Sequence, residues 1–90
     1  MTERRIALGK TFATKGVSAL FDYIEMSVFL ARHSVGDWGD VSDEDWEIND
    51  SAYEFVNGRL FSAYKTFKGK VWVITEHDRS STTILLPEEY

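Results

Sequence analysis

Residues 59–87 read RLFSAYKTFKGKVWVITEHDRSSTTILLP, and the fold class turns on how they divide. Two runs rich in aromatic and β-branched residues, RLFSAYKTF and KVWVITEH, meet at Lys68-Gly69, and the polar DRSS parts the second from TTILLP. Alternating runs broken by turn residues are the mark of antiparallel strands joined by hairpins. A three-stranded meander is predicted, ended by Pro87, which has no amide to give a ladder. On the middle run Val71, Val73 and Thr75 point one way, and Trp72, Ile74 and Glu76 the other. Both sets are largely apolar, which predicts a central strand covered on two sides.

Upstream, the apolar period lengthens. SDEDWEINDSAYEF opens on Ser42, whose hydroxyl suits a helix cap, and continues with Asp43, Glu44 and Asp45, whose charges suit a first turn. Trp46, Asn49 and Tyr53 then share one side, Phe55 lies near the end, and Asn57-Gly58 stops the helix. GDWG, residues 36–39, is a turn. Before it, Val17, Leu20, Phe21, Ile24 and Val28 recur at spacings of three and four, a helical stripe that ends near Gly36. Ser18 is a candidate cap, and Ser27 a candidate second cap that would split the segment in two. From Arg5 to Lys15, Ile6, Leu8 and Phe12 fall on one parity, as in a half-buried first strand. The sum is an α+β fold: an antiparallel sheet of three to four strands packed with two or three short helices.

Ninety residues allow one domain, 1–90, because each of two halves would bury too little surface to offset its chain entropy. A content of 43% hydrophobic and 14% aromatic residues places the chain among folding rather than disordered sequences, as a monomer or a homo-oligomer. With no cysteine there is no disulfide framework or thiolate metal site, and a cytoplasmic setting is the simplest expectation. MTERRIALGK holds too short an apolar run for a signal segment, and no stretch is long enough to span a membrane.

Charge is uneven along the chain. Residues 1–32 carry +2, residues 33–54 carry −8 with no lysine or arginine, and residues 55–90 carry +1, for a formal total of −5. Such a balance argues against direct binding to a phosphate backbone. The acidic stretch, with Asp37, Trp38, Asp40, Asp43, Glu44, Asp45, Trp46 and Glu47, reads in two ways. It is a solvated helix plugged by two tryptophans, or a surface that imitates nucleic-acid phosphates or docks in a basic protein groove with Trp38 and Trp46 as anchors.

Two other constellations carry chemistry. His33, with Asp37 and Asp40 close in sequence, offers one nitrogen and two carboxylates to a divalent ion, although the spacing matches no ligand signature and the commoner role is to cap a helix's last carbonyls. TEHDRSSTT, residues 75–83, supplies Glu76, His77 and Arg79. With His33, Glu76 and Arg79 would furnish the base, acid and phosphate-binding cation of a metal-independent ribonuclease or toxin-like enzyme, provided the three converge. The structural alternative is a hairpin in which Asp78 and Ser80 bond local backbone and Arg79 pairs with the acidic segment. No phosphate-cradling glycine loop, nucleophile elbow or dinucleotide fingerprint is present, and no cofactor is expected.

LARHSVGDWGD, GRLFSAY and VWVITEHDRSSTTILLPEEY, in that order over residues 28–90, resemble a family of small proteins encoded on bacterial plasmids, phages and integrative elements. Its members are labelled plasmid-related, and some as restriction-modification subunits. The matching positions are His33, Gly36, Asp37, Trp38, Gly39, Ser62, Tyr64, Trp72, Glu76, Asp78, Arg79, Ser80, Thr82 and Thr83; His77 departs, standing where the family has a small residue. The resemblance implies a mobile-element setting rather than a reaction. A chain of this length has no room for a methyltransferase's nucleotide-binding domain. The expectation is an accessory protein that binds a protein complex of a host defence system, anti-CRISPR or anti-restriction in type; a structural or regulatory partner within a plasmid operon is the third alternative.

Overall fold

The computed structural model describes residues 5–90. Met1–Arg4 lie outside the described residues, and so does that part of the signal-segment reading. The chain forms β1 (Lys10–Ala13), α1 (Lys15–Leu20), α2 (Tyr23–Ser34), α3 (Asp43–Phe55), β2 (Leu60–Thr66), β3 (Gly69–Thr75), β4 (Ser81–Leu85) and a 3₁₀ turn at Pro87–Glu89. The α+β class and the meander are as expected. One feature of the sheet differs: its order is β1-β4-β3-β2, and β1 pairs with β4 in parallel, Phe12 opposite Thr83. The sheet is therefore mixed and open. All three helices intervene between β1 and the meander, so β4 returns alongside β1 in the same direction.

Thr75 faces Thr82 and Leu60, and Val73 faces Ile84 and Ser62, across the antiparallel pairs. Val71, Val73 and Thr75 are wholly buried under the helices. On the reverse face Ile74 and Leu85 are buried as well, and Trp72 meets Phe61 and Tyr90 edge-on at 5.0 and 5.7 Å. Two apolar clusters line the helical face. One gathers Val17, Phe21, Phe29, Tyr64, Val71, Val73 and Ile84 below α1 and α2. The other holds Ile6, Trp38, Ala52 and Leu60 below α3, with Trp46 and Tyr53 against it. Each fully buried aliphatic contributes about 1.5–3 kcal/mol relative to exposure.

The helical stretch before Gly36 is two helices, and neither expected serine caps one. Thr14 caps α1, and its hydroxyl also donates to Glu89. Asp22 caps α2 in a reciprocal box with Glu25, their bonds 2.8 and 3.0 Å. Ser27 instead donates to the Tyr23 carbonyl within α2. The break at Phe21-Asp22 resets the helical phase, so α2 turns Met26, Phe29, Leu30 and His33 inward and leaves Ile24 and Val28 exposed.

The parity shared by Ile6, Leu8 and Phe12 does not make one strand either. Gly9 has φ +64°, and a Cβ there would stand 2.2 Å from the Ser80 carbonyl oxygen, so only glycine permits the bend. Ile6 and Leu8 enter the second cluster before it, whereas Phe12, beyond it, is 53% exposed.

Candidate functional site

The acidic segment divides once folded. Trp38 is not a surface anchor: it is fully buried, lies edge-on to His33 at 5.5 Å, and donates Nε1–H to Asp50 at 3.0 Å. Gly39 follows with φ +77°, where a Cβ would collide with the Ala63 carbonyl oxygen at 2.2 Å. That approach lets residues 38–40 bond the edge of β2. Trp46 is half-buried against the second cluster. Asp37 is held by Arg32 at 2.7 Å, with the guanidinium 4.3 Å above the Tyr64 ring, and Asp40 pairs with Lys65 at 3.3 Å. The Asp37 carboxylate raises the Arg32 pKa, and burial pushes the Tyr64 phenol up to about 12 while its O–H donates to the Asp37 carbonyl. Both carboxylates are thus spent on internal cations.

Asp43, Glu44, Asp45 and Glu47 are otherwise placed. Ser42 caps α3 by accepting from the Asp45 amide at 3.1 Å, so the first turn projects its acids into solvent. All four are exposed, and none forms an ion pair among the described residues. Between them Ile48 is 57% exposed, in a shallow surface depression shared with Glu44, Glu47, Ser51 and Arg59. Sequence reading missed Ile48, although the signal was there: with Trp46, Asn49 and Tyr53 turned inward, helical spacing turns position 48 outward.

His33 caps no carbonyl. It is fully buried, with Nδ1 2.5 Å from Ser62 Oγ and Nε2 2.9 Å from Thr75 Oγ1; Thr75 lies 2.7 Å from Thr82, which donates to the Leu8 carbonyl at 2.7 Å. The carbonyl can only accept, and this assigns every proton in the chain. Thr82 spends its proton on Leu8, Thr75 gives its own to Thr82, neutral His33 donates from Nε2, and Ser62 donates to Nδ1. Burial first, and the Arg79 charge second, lower the His33 pKa to about 4. A neutral imidazole satisfies the network, whereas an imidazolium would reverse the Nδ1 bond, making Ser62 the acceptor and leaving its own proton without this partner.

The three side chains of the enzymatic alternative do not form a site. His33 is sealed beneath Thr75 and Thr82. Glu76 follows Thr75 on β3, so alternation turns it to the opposite face, where it meets Arg59 at 3.4 Å. Nor, among the described residues, does Arg79 pair with acids. Its guanidinium donates to the carbonyls of Gly58 and Ala52 at 2.7 and 2.8 Å and to those of Glu76 and His77 at 3.2 Å, so it binds the C-terminal end of α3 to the β3–β4 turn. Asp78 does bond local backbone, accepting from the Ser80 amide at 3.0 Å. With His33, Asp37 and Asp40 all engaged elsewhere, the sequence-adjacent metal triad does not assemble, and among the described residues no group of three or more metal-ligating side chains gathers. Nor, among them, is any helix long and apolar enough to cross a membrane.

No family model matches the chain, and comparison with curated proteins and with solved structures likewise returns no match.

Proposed function

We propose that the chain is a small acidic accessory protein of a mobile genetic element, acting in the cytoplasm as an anti-CRISPR or anti-restriction inhibitor. Its partner is a protein complex of a host defence system, and it uses no cofactor. The observation that carries the reading is the exposed acid at the start of α3: Asp43, Glu44, Asp45 and Glu47 form no ion pair among the described residues, and exposed Ile48 lies beside Glu44 and Glu47. Carboxylates placed this way present fixed negative charge to a basic groove that would otherwise hold nucleic acid, and Ile48 adds apolar area beside Glu44 and Glu47. Buried Trp38 and half-buried Trp46 pack behind that face, while Asp37 and Asp40 are surface carboxylates already paired with Arg32 and Lys65. The mobile-element setting comes from the sequence resemblance over residues 28–90.

The test is a tagged pull-down from a bacterium that carries restriction and CRISPR systems, with wild type beside a variant combining Asp43→Asn, Glu44→Gln, Asp45→Asn and Glu47→Gln. Wild type should recover a defence complex, and the variant should lose it while keeping its circular dichroism and nearly all its thermal stability. Ile48→Ser should weaken capture less. Equal recovery by the neutralised variant would sink the reading.

A further inference from the structure

The structure points to a second copy of this chain as the occupant of the β1 edge, and we propose that two protomers join there about a two-fold axis into one eight-stranded sheet. The Lys10 and Thr14 amides donate to the carbonyls of Ser80, just before β4, and of Ile84 on β4. Backbone groups alternate along a strand, so the amides and carbonyls of Thr11 and Ala13 point away from the sheet, and nothing among the described residues pairs with them. An exposed edge of this kind is a template for another strand.

Self-complementarity selects the occupant. An antiparallel copy with Phe12 opposite Phe12 sets Thr11 against Ala13 and Ala13 against Thr11, a register in which all four outward amides and carbonyls pair. The two Phe12 rings, each 53% exposed, then meet at a non-hydrogen-bonded position, where opposed side chains are closest. Lys10 falls opposite Thr14 of the other copy. There Glu89 waits: its carboxylate accepts from the Thr14 hydroxyl and from the Leu86 and Gly16 amides at 2.9 and 3.0 Å, and these bonds lower its pKa. The two-fold thus creates two Lys10–Glu89 pairs from one register.

Four residues of strand make a small contact, and the groove beside them extends it. Between β1 and α2 lies an open apolar depression of about 690 Å³ lined by Phe21, Tyr23, Met26 and Leu30, with Tyr23 87% exposed. Under the two-fold this groove faces its own copy on the helical side of the joined sheet. α3 packs at β2, the opposite edge, so both acidic faces stay free, and the dimer stands or falls independently of the inhibitor reading.

Sedimentation equilibrium of the full chain should show a species of twice 10.3 kDa that dissociates on dilution. Ala13→Pro removes an amide that faces outward and leaves every β4 bond in place; it should weaken association by about tenfold or more, because two of the four edge bonds lose their donor. The chain has no cysteine, so Phe12→Cys supplies its only thiol. Opposed Cα atoms at such a position stand about 4.5 Å apart, within disulfide reach, and mild oxidation should cross-link the variant into a covalent dimer while Ser51→Cys, on α3, forms no covalent link. A wild-type chain that is monomeric at every concentration overturns the proposal, even where it captures an extended peptide of another protein. So does a dimer in which Phe12→Cys cross-links no better than Ser51→Cys; that readout decides the matter should Ala13→Pro fail to fold.

Discussion

At one margin of the sheet the outward groups of Phe61 and Ala63 on β2 are all met. Asn49 clasps both backbone groups of Phe61, at 2.7 and 3.0 Å, and the segment after Trp38 takes both of Ala63, at 3.0 and 2.6 Å. At the other margin Thr11 and Ala13 on β1 meet nothing among the described residues. The difference shows how a small sheet handles its edges. Closing β2 uses a buried amide side chain, a buried tryptophan and a glycine without which the chain could not approach, whereas β1 is merely short. Of the residues that close the β2 edge, Trp38 and Asp40 are ones the sequence assigns to a partner.

Breaking the closed edge should have the largest effect. Asn49→Leu keeps the volume but leaves the Phe61 amide and carbonyl without partners, each at a cost of about 1–3 kcal/mol. A total loss of roughly 3–4 kcal/mol, read from urea unfolding, is expected. A loss below about 1 kcal/mol would mean that water replaces Asn49 and that the edge is not closed in the sense argued.

The chain Ser62–His33–Thr75–Thr82–Leu8 runs between the two margins, and pH breaks it. The His33 pKa of about 4 in the folded protein lies below its ordinary 6.5, so between these values the unfolded chain binds more protons. The contribution is fully present above about pH 6.5, declines as pH falls toward 4, and is constant below. At 1.36 kcal/mol per unit this amounts to roughly 3 kcal/mol. Unfolding free energies measured across that window should show the slope, and His33→Gln should flatten it. Asp78 and Glu89, whose carboxyls are held below their ordinary 3.8 and 4.5 by hydrogen bonds from Ser80 and Thr14, lose their contributions in the same direction only as pH falls through and below those values, so the part of the window above about pH 5 distinguishes His33.

The meander was legible because both faces of β3 are written in its alternation and its turns are local. β1 was only half legible. Its parallel partner lies some seventy residues away, and parity counted through Gly9 joined Ile6 and Leu8 to a strand they do not enter. The split between α1 and α2 was foreseen at the wrong place because serine and aspartate cap equally well, and only the packing of Phe21 and Phe29 chooses between them. Trp38 misled for a physical reason: tryptophan is both the commonest interface anchor and a large core filler, and burial depends on a glycine contact that sequence spacing does not display. His33, Ser62, Thr75 and Thr82 are polar residues scattered over four elements. Nothing in their spacing announces one hydrogen-bonded chain, because the sheet register creates it.

A smaller loss is expected from Arg79→Met, which removes the guanidinium that holds the end of α3 near the closed margin. The stem remains to pack, but the Gly58 and Ala52 carbonyls lose charged donors, for about 1–2 kcal/mol in thermal or urea unfolding. Arg79→Lys should recover only part of this, since one ammonium cannot reproduce a planar fork spread over four carbonyls. Undiminished stability in Arg79→Met would release Arg79 from the structural role assigned to it.

The gentlest probe leaves the sequence alone. Amide hydrogen exchange reports whether each backbone N–H has a partner, and the two margins should differ residue by residue. At low concentration Thr11 and Ala13 should exchange rapidly while Phe12 between them, turned toward β4, is protected; Phe61 and Ala63 should be as slow as the interior of β3. The alternation matters more than the average, because fraying of a short strand would expose Phe12 together with its neighbours. Raising the protein concentration should then slow Thr11 and Ala13 and leave Phe61 and Ala63 unchanged. If Thr11, Phe12 and Ala13 exchange together at every concentration, β1 opens as a unit and offers no fixed edge, and the contrast between the two margins becomes one of order rather than of pairing.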